Sequence, residues 1–321
     1  MADDTTTLAD VSYDQTAYER YVWFALRPEN YFDAVADVYA THLDKPGSSV
    51  SIPVQTDLAV ASAAISESTD VDAVVLGNSD VTCSLIEYGN VAKTTKKLRS
   101  TSYVALDPVV ENVIGYNAGV SQDTIARNAF VAGSNIRYAG DATARNEVGP
   151  DDTWVTGNTP GNYVRRAVAE LRGASAPTIG GRYVAFIHPD VSYDFRGATG
   201  MASWLDPHGY SQPSEIMAGE IGEYAGVRFI ETPRAPVFAD AGSSTTLTDV
   251  YATIFVGRQA VVKVWSISDG GSPFPKVFPT PIVDNLRRFE GRAWYWLGGY
   301  DQFREACLRR LESSSTIGTN S

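Results

Sequence analysis

The chain has 321 residues and a mass of 34.7 kDa, with 44% hydrophobic, 11% aromatic and 20% charged residues. That composition excludes a collagen, a low-complexity chain and a coiled-coil rod, and the length suffices for one large or two modest packed domains. With 38 Asp and Glu against 26 Lys and Arg, the net charge of −12 repels phosphate and argues against nucleic-acid binding as the main task.

Half of the acidic excess lies in the first 50 residues, which hold nine acids and three bases, while residues 276–321 are the only positive stretch. The polar, acidic opening MADDTTTLAD is neither a signal nor a transit peptide, and no apolar run nears the roughly 20 residues of a membrane helix. A soluble chain made in the cytoplasm is expected. Tyr18, Tyr21, Val22, Ala25 and Leu26 fall at helical spacing up to Arg27-Pro28. A second short helix is predicted over Tyr31, Phe32, Val35, Val38 and Tyr39, before Lys45-Pro46-Gly47 breaks the chain. This front part is too thin in apolar surface to fold alone and reads as an arm.

From Val50 the period changes to two. Val50, Ile52 and Val54 alternate with polar residues, and Pro53 marks an edge strand. The return side carries Val81, Cys83 and Leu85, followed by Glu87-Tyr88-Gly89, and the acidic stretch between the two sides holds little core material. Such a pattern predicts a long projecting hairpin, marginal in isolation and in need of a neighbouring subunit.

Asp107-Pro108 starts a helix striped by Val109, Val110, Val113 and Ile114. Ser121 starts a continuation with Ile125, Ala129 and Phe130, so residues 108–132 read as one long helix interrupted near Gly119. Helices follow from Pro160 to Gly173, from Pro189 through Phe195, and from Pro213 to Tyr224. Strands are expected at Tyr183–Ile187, Val227–Ile230, Tyr251–Val256 and Gln259–Trp265, the last two turned at Gly257-Arg258. Ser272–Pro281 reads as a loop, Ala293–Leu297 as an aromatic strand, and Phe303, Cys307 and Leu311 as the stripe of a final helix. The first ten residues and the tail from Ser313 to Ser321 read as frayed. The ordering is mixed α+β.

Candidates for chemistry are few. There is no Gly-x-x-x-x-Gly-Lys-Ser/Thr, G-x-G-x-x-G, G-x-S-x-G or H-E-x-x-H. Cys83 and Cys307 read as small buried hydrophobes, far from any histidine in sequence. His188-Pro189-Asp190 pairs an imidazole with a carboxylate, but its place where a strand turns into a helix favours capping. His208 has no partner at ligand spacing. Asp70-Val71-Asp72 resembles the start of a calcium loop without its downstream glycine and glutamate. Glu220 and Glu223 share a helical turn, which an exposed helix edge explains better than an acid–base pair does. Trp294 and Trp296 point to one strand face and suit a core or interface better than ligand stacking. No catalytic, cofactor-binding or metal-ligating set is expected, and no cofactor.

The order of parts resembles the major capsid proteins of tailed double-stranded DNA bacteriophages, with wording nearest the coliphage N-four major coat protein family. The resemblance rests on Ser51-Ile52-Pro53-Val54, Glu87-Tyr88-Gly89, Arg127-Asn128-Ala129, and Tyr183 through Asp190. It continues with Gly219-Glu220-Ile221-Gly222-Glu223, Gly226 through Thr232, and Gly291-Arg292-Ala293-Trp294, spanning residues 18–312. It implies an α+β, Hong Kong-type capsid fold. The parts would be an N-terminal arm (1–47), an extended hairpin loop (48–104), a peripheral domain with the spine helix (105–155), an axial domain (156–275), and a return to the peripheral domain with the tail (276–321).

The resemblance further implies hexamers and pentamers in an icosahedral shell around packaged DNA. A portal and, in some relatives, a decoration protein would be further partners, with no membrane. Some relatives crosslink a hairpin lysine to an asparagine of another subunit. This chain has no lysine between Lys45 and Lys93, so a shell without crosslinks is expected. Fewer than fifty residues precede the hairpin, so a separate scaffolding protein is expected rather than a fused one. The competing readings are an encapsulin-type nanocompartment shell and a soluble cytoplasmic α+β enzyme.

Overall fold

The structure is a computed structural model that describes residues 30–40, 47–62, 64–65, 67–68, 70–102, 106–154, 162–197, 222–243, 247–267, 272–281 and 284–317. The first half contains α1 (Phe32–Val35), β1 (Asp37–Ala40), β2 (Ser49–Gln55), β3 (Asn78–Ser84), β4 (Ile86–Thr95), α2 (Lys96–Thr101), α3 (Leu106–Val131) and β5 (Ile136–Tyr138). There follow α4 (Asn162–Gly173), β6 (Tyr183–Ile187), α5 (Pro189–Gly197), β7 (Glu223–Tyr224), β8 (Val227–Glu231) and β9 (Val237–Phe238). The last part comprises β10 (Val250–Val256), β11 (Val261–Trp265), β12 (Lys276–Pro279), β13 (Phe289–Gln302) and β14 (Leu308–Ser313).

Two main sheets divide the strands. In the seven-stranded sheet β10 is central, with β14 and β5 on one side, β6, β8 and β7 on the other, and β9 against its start. Every residue of β6 and β10 is buried, as expected of apolar runs covered on both faces. β6, α5 and β8 make a crossover unit with parallel strands. α4 adds Tyr163, Val164, Ala167, Val168 and Leu171 to this core, a stripe set by their helical spacing.

The five-stranded sheet is built along β13. β4 runs antiparallel along one side of it, while β12 pairs its first half and β11 its second half on the other. β1 extends the sheet parallel to β11.

Helix α3 serves both cores. Its 26 residues span about 39 Å, and Ile114, Ala118, Gln122, Ala126 and Phe130 are buried at steps of four. Each such step turns about 40° beyond a full circle, so the buried face winds about 160° along the helix. The early residues therefore meet Trp265, Trp294 and Trp296 of the smaller sheet. The late ones join Phe32 and Phe186 in the larger core, where those two rings lie 4.3 Å apart. The predicted break at Gly119 does not occur, because packing on both sheets outweighs the weak helix propensity of one glycine.

Several expectations are corrected. The helix over 31–39 ends at Val35, and the β-forming Val38 and Tyr39 continue as β1 on the sheet edge. Glu223 and Tyr224 are not helical but form β7, hairpinned onto β8 through Ala225 (φ +52°) and Gly226 (φ +82°), a two-residue turn of the primed type. The stretch from Pro213 to Ile221, like Tyr18–Leu26, lies outside the described residues. The strands on either side of Gly257 are not paired to each other; β10 and β11 enter different sheets. Part of the Pro-rich loop forms edge strand β12, where a proline's missing donor is tolerated.

The last helix is absent. Glu305–Cys307 makes a single 3-10 turn and Leu308–Ser313 is a strand. Phe303, Cys307 and Leu311 share helical spacing by coincidence. Glu312 is fully buried; it accepts from Arg145 at 2.7 Å and is ion-paired with Arg310 at 2.9 Å. The start of the tail is held as well. Ser313, Ser314 and Ser315 are buried, Ser314 donates its N–H to the Asp152 carbonyl at 3.0 Å, and Thr316 donates to the Asp194 carboxylate.

Candidate assembly surfaces

Three features at the smaller sheet depart from ordinary domain packing. The first is how α1 is tied down. Asp123, on the buried face of α3, accepts the N–H groups of Phe32 at 2.8 Å and Asp33 at 3.3 Å, and Arg234 Nε at 3.0 Å. Burial pushes the Asp123 carboxyl up, while these donors oppose the shift. Lys263, only 3% exposed, donates to Asp33 Oδ1 at 2.7 Å, and the Tyr300 hydroxyl donates to the same oxygen. Burial holds the Lys263 ammonium below its ordinary value, with Asp33 pulling the other way. Sequence reading missed this cluster. Its signal was the lone lysine inside the apolar run Val261-Val262-Lys263-Val264-Trp265.

The second feature is the hairpin. β2 and β3 pair with each other alone, from Ser49 opposite Ser84 to Gln55 opposite Asn78. At its base Ile52 and Cys83 pack with Val262 and Val264. Gly299 permits the close approach, since a Cβ there would lie 2.1 Å from the Ser84 carbonyl oxygen. Beyond the paired strands, the large apolar side chains among the described residues of the tip join no core cluster. Val60 is 90% and Val75 89% exposed, and Leu58, Ile65, Val71, Val74 and Leu76 are exposed as well.

The third feature is an open sheet face. Paired residues share a face, so Val262 and Val264 of β11, with Gly299 of β13, lie on the side opposite α3, beneath the hairpin base. Along the other half of that side, Val91, Ala293 and Phe278 stand in one row, and Tyr295 and Phe289 belong to the same face. Val91, Phe278, Phe289 and Tyr295 are between 41% and 47% exposed, and the nearby Leu286 is 71% exposed. Large apolar side chains grouped on one surface signify an interaction site.

The residues singled out for chemistry are scattered. Cys83 and Cys307 are buried free thiols, and burial pushes Cys83 up to about 12. His188 Nδ1 accepts the Asp190 N–H at 3.3 Å at the start of α5, the capping role expected of it, and its ring lies tilted 5.0 Å from that of Tyr251, which donates to Asp190 at 2.9 Å. Asp70 accepts the N–H of its neighbour Val71, an exposed local turn. Glu223 pairs with Arg182 at 2.5 Å, while Glu220 and His208 lie outside the described residues. Trp294 and Trp296 both pack on α3, their indole N–H groups bound to Asn117 Oδ1 and the Ser272 carbonyl. Among the described residues no group of three or more His, Cys, Asp or Glu gathers as a metal site.

A helix-spined sheet left half bare, a hairpin with an exposed apolar tip and a short helix clamped by buried charges define a class of protein: a subunit that leaves much of its apolar surface outside its own core. The chain belongs to the phage capsid protein family, whose model matches residues 33–309. No curated protein sequence matches it. Among solved structures it is similar to the capsid of Ralstonia phage GP4, at 15% identity and TM-score 0.70, covering 97% of this chain and 98% of that one. The capsid of cyanophage Pam1 gives 14% identity and TM-score 0.69 over the full length of both chains. A chain of Mycobacterium phage Che8 gives 14% identity and TM-score 0.66, covering 93% of this chain and 97% of that one. The fold is thus the α+β capsid fold of tailed-phage major capsid proteins. The protein is a structural shell subunit with its place in the capsid of a virion.

Proposed function

We propose that the subunit assembles with its own copies, as hexamers and pentamers, into the icosahedral head that encloses packaged double-stranded DNA. One observation carries this reading: a hairpin with an exposed apolar tip, which gains a core only by lying across another subunit. Many modest contacts of that kind add up to a strong closed shell. In this reading residues 1–47 are the arm, 48–104 the extended loop, 105–155 the start of the peripheral domain, 156–275 the axial domain and 276–321 the return. β11, within the 156–275 range, pairs in the five-stranded sheet, and β14, within 276–321, pairs in the seven-stranded one.

The chain performs no catalysis, and assembly takes place in the host cytoplasm with a separate scaffolding protein, a portal and, in some heads, a decoration protein. The acidic surface keeps the DNA unattached. The absence of a lysine from 46 to 92 favours a shell without crosslinks. Electron microscopy of particles purified from infected cells tests the reading. Closed shells containing this chain in hundreds of copies, with single-subunit bands on a denaturing gel, are expected. A small discrete oligomer would overturn the shell, and a ladder of linked subunits would overturn the uncrosslinked form.

A further inference from the structure

We infer that Lys263 and Asp33 of the same chain condense into an amide, tying α1 covalently to β11. This goes beyond the shell reading and does not depend on it. A buried ion pair often adds nothing to stability over apolar residues in its place, so a lysine inside Val261-Val262-Lys263-Val264-Trp265 calls for another role. Lys263 and Tyr300 are paired across β11 and β13, so their side chains rise from one face of the sheet towards α1. Lys263 Nζ lies 2.7 Å from Asp33 Oδ1, and the Tyr300 hydroxyl donates to the same oxygen. The rings of Phe274 and Tyr300 wall the amine at 4.7 Å and 5.7 Å. Asp33 is fixed from behind, its N–H held by Asp123 and its neighbour Phe32 packed 4.3 Å from the Phe186 ring. An amine and a carboxyl from positions 230 apart are thus held in contact. Groups so oriented can react as though at on the order of 10⁵–10⁸ M, which drives a condensation that fails between free molecules.

Both proton donors converge on Oδ1, which marks it as the leaving oxygen. A proton passes from Nζ to Oδ1, leaving a neutral amine beside a carboxylic acid. Burial favours that transfer by holding the Lys263 ammonium below its ordinary value. The Nζ lone pair attacks Cγ, the Nζ–Cγ bond forms, and the carbonyl electron pair moves onto Oδ2. A second proton then passes from Nζ to Oδ1, the Cγ–Oδ1 bond breaks, and Oδ1 leaves as water while the pair on Oδ2 restores the carbonyl. Both hydrogens of that water come from the ammonium, so no co-reactant is needed. Burial pushes the Tyr300 hydroxyl well above its ordinary value, so it stays protonated and assists the departure of Oδ1. The product closes a covalent loop from Asp33 to Lys263 and fastens the chain ahead of Asp33 to the sheet. The bond lies within one chain, so a denaturing gel still shows a single-subunit band.

The test is mass spectrometry of the full chain, purified folded and then denatured. The intact mass is expected to fall short of the sequence mass by one water. Digestion should yield a linked peptide containing Asp33 and Lys263, with no tryptic cleavage after Lys263. Lys263→Arg and Asp33→Ala should each restore the full mass. A parent chain at its full sequence mass would overturn the bond and leave an ion pair only, whether or not shells form. A missing water that persists in Lys263→Arg would overturn it too, since the loss would then arise elsewhere.

The parent measurement needs no variant to fold, and Tyr300→Phe adds a kinetic readout while keeping the ring. In pulse-labelled, newly made chain, that variant should form the linked species about 100-fold more slowly than the parent. Formation at the parental rate would contradict the role of Oδ1 as the leaving oxygen assisted by Tyr300.

Discussion

The two sheets share a helix but solve the burial problem differently. The seven-stranded sheet is complete: β6 and β10 are buried throughout, and aromatic rings from α1, α3, α5 and the strands close its core. The five-stranded sheet has one face on α3 and the other half covered by a hairpin whose tip is unsupported. One sheet is buried within the subunit; the other leaves apolar surface that, in the proposed shell, a neighbour would cover. Substitutions should therefore separate into those that unfold the subunit and those that leave it folded but unable to assemble.

The largest effect is expected in the complete half. Phe186→Ala empties a site shared with Phe32 and Phe130 and should cost about 4 kcal/mol in denaturant unfolding of the unassembled subunit. Next comes Glu312→Gln, which leaves Arg310 buried without its counter-charge and should cost about 3 kcal/mol. Asp123→Ala strips Phe32 and Asp33 of their acceptor, at about 2 kcal/mol. Its signature is local: faster amide exchange over residues 32–40 than over 183–187. Equal change in both segments would mean that α1 is not a separately anchored piece.

A smaller effect concerns pH. Burial holds the His188 imidazole below its ordinary 6.5, against the pull of Asp190 and Glu231. As pH falls below that value the unfolded chain binds this proton before the folded one, so stability declines on acidification. Protonation also removes the lone pair that accepts the Asp190 N–H. His188→Gln should flatten the fall in urea midpoint between about pH 7 and about pH 5. An unchanged slope would place the titration elsewhere. Smallest of all for the fold is Val75→Asp in the tip, expected to leave subunit stability within about 0.5 kcal/mol of the parent while lowering shell yield.

Sequence reading was strongest where burial is continuous or strictly periodic. Tyr183–Ile187, the stripe of α4 and the alternation of Val50, Ile52 and Val54 against Val81 and Cys83 each state one period with no rival. It failed where a strand imitated a helical stripe. Phe303, Cys307 and Leu311 fall at helical spacing, yet Leu308–Ser313 pairs with β5 and β10, and Arg310 and Glu312 neutralise each other inside that sheet, an arrangement visible only with those strands and Arg145 in place. Prolines around 273–281 hid β12 because an edge strand tolerates what a central one does not. The assembly surfaces were half legible. The hairpin could be read from its own sequence, but the open face combines β12 and β13 with β4, which lies about 200 positions before them.

The most direct test of a subunit finished by its neighbours is amide exchange on the same chain before and after assembly. Peptides covering Val71–Gly77 and Val91–Thr95 should exchange freely in the unassembled subunit and become strongly protected in the shell, while Tyr183–Ile187 is protected in both. Equal exchange of the tip and the sheet face in the two states would contradict the account.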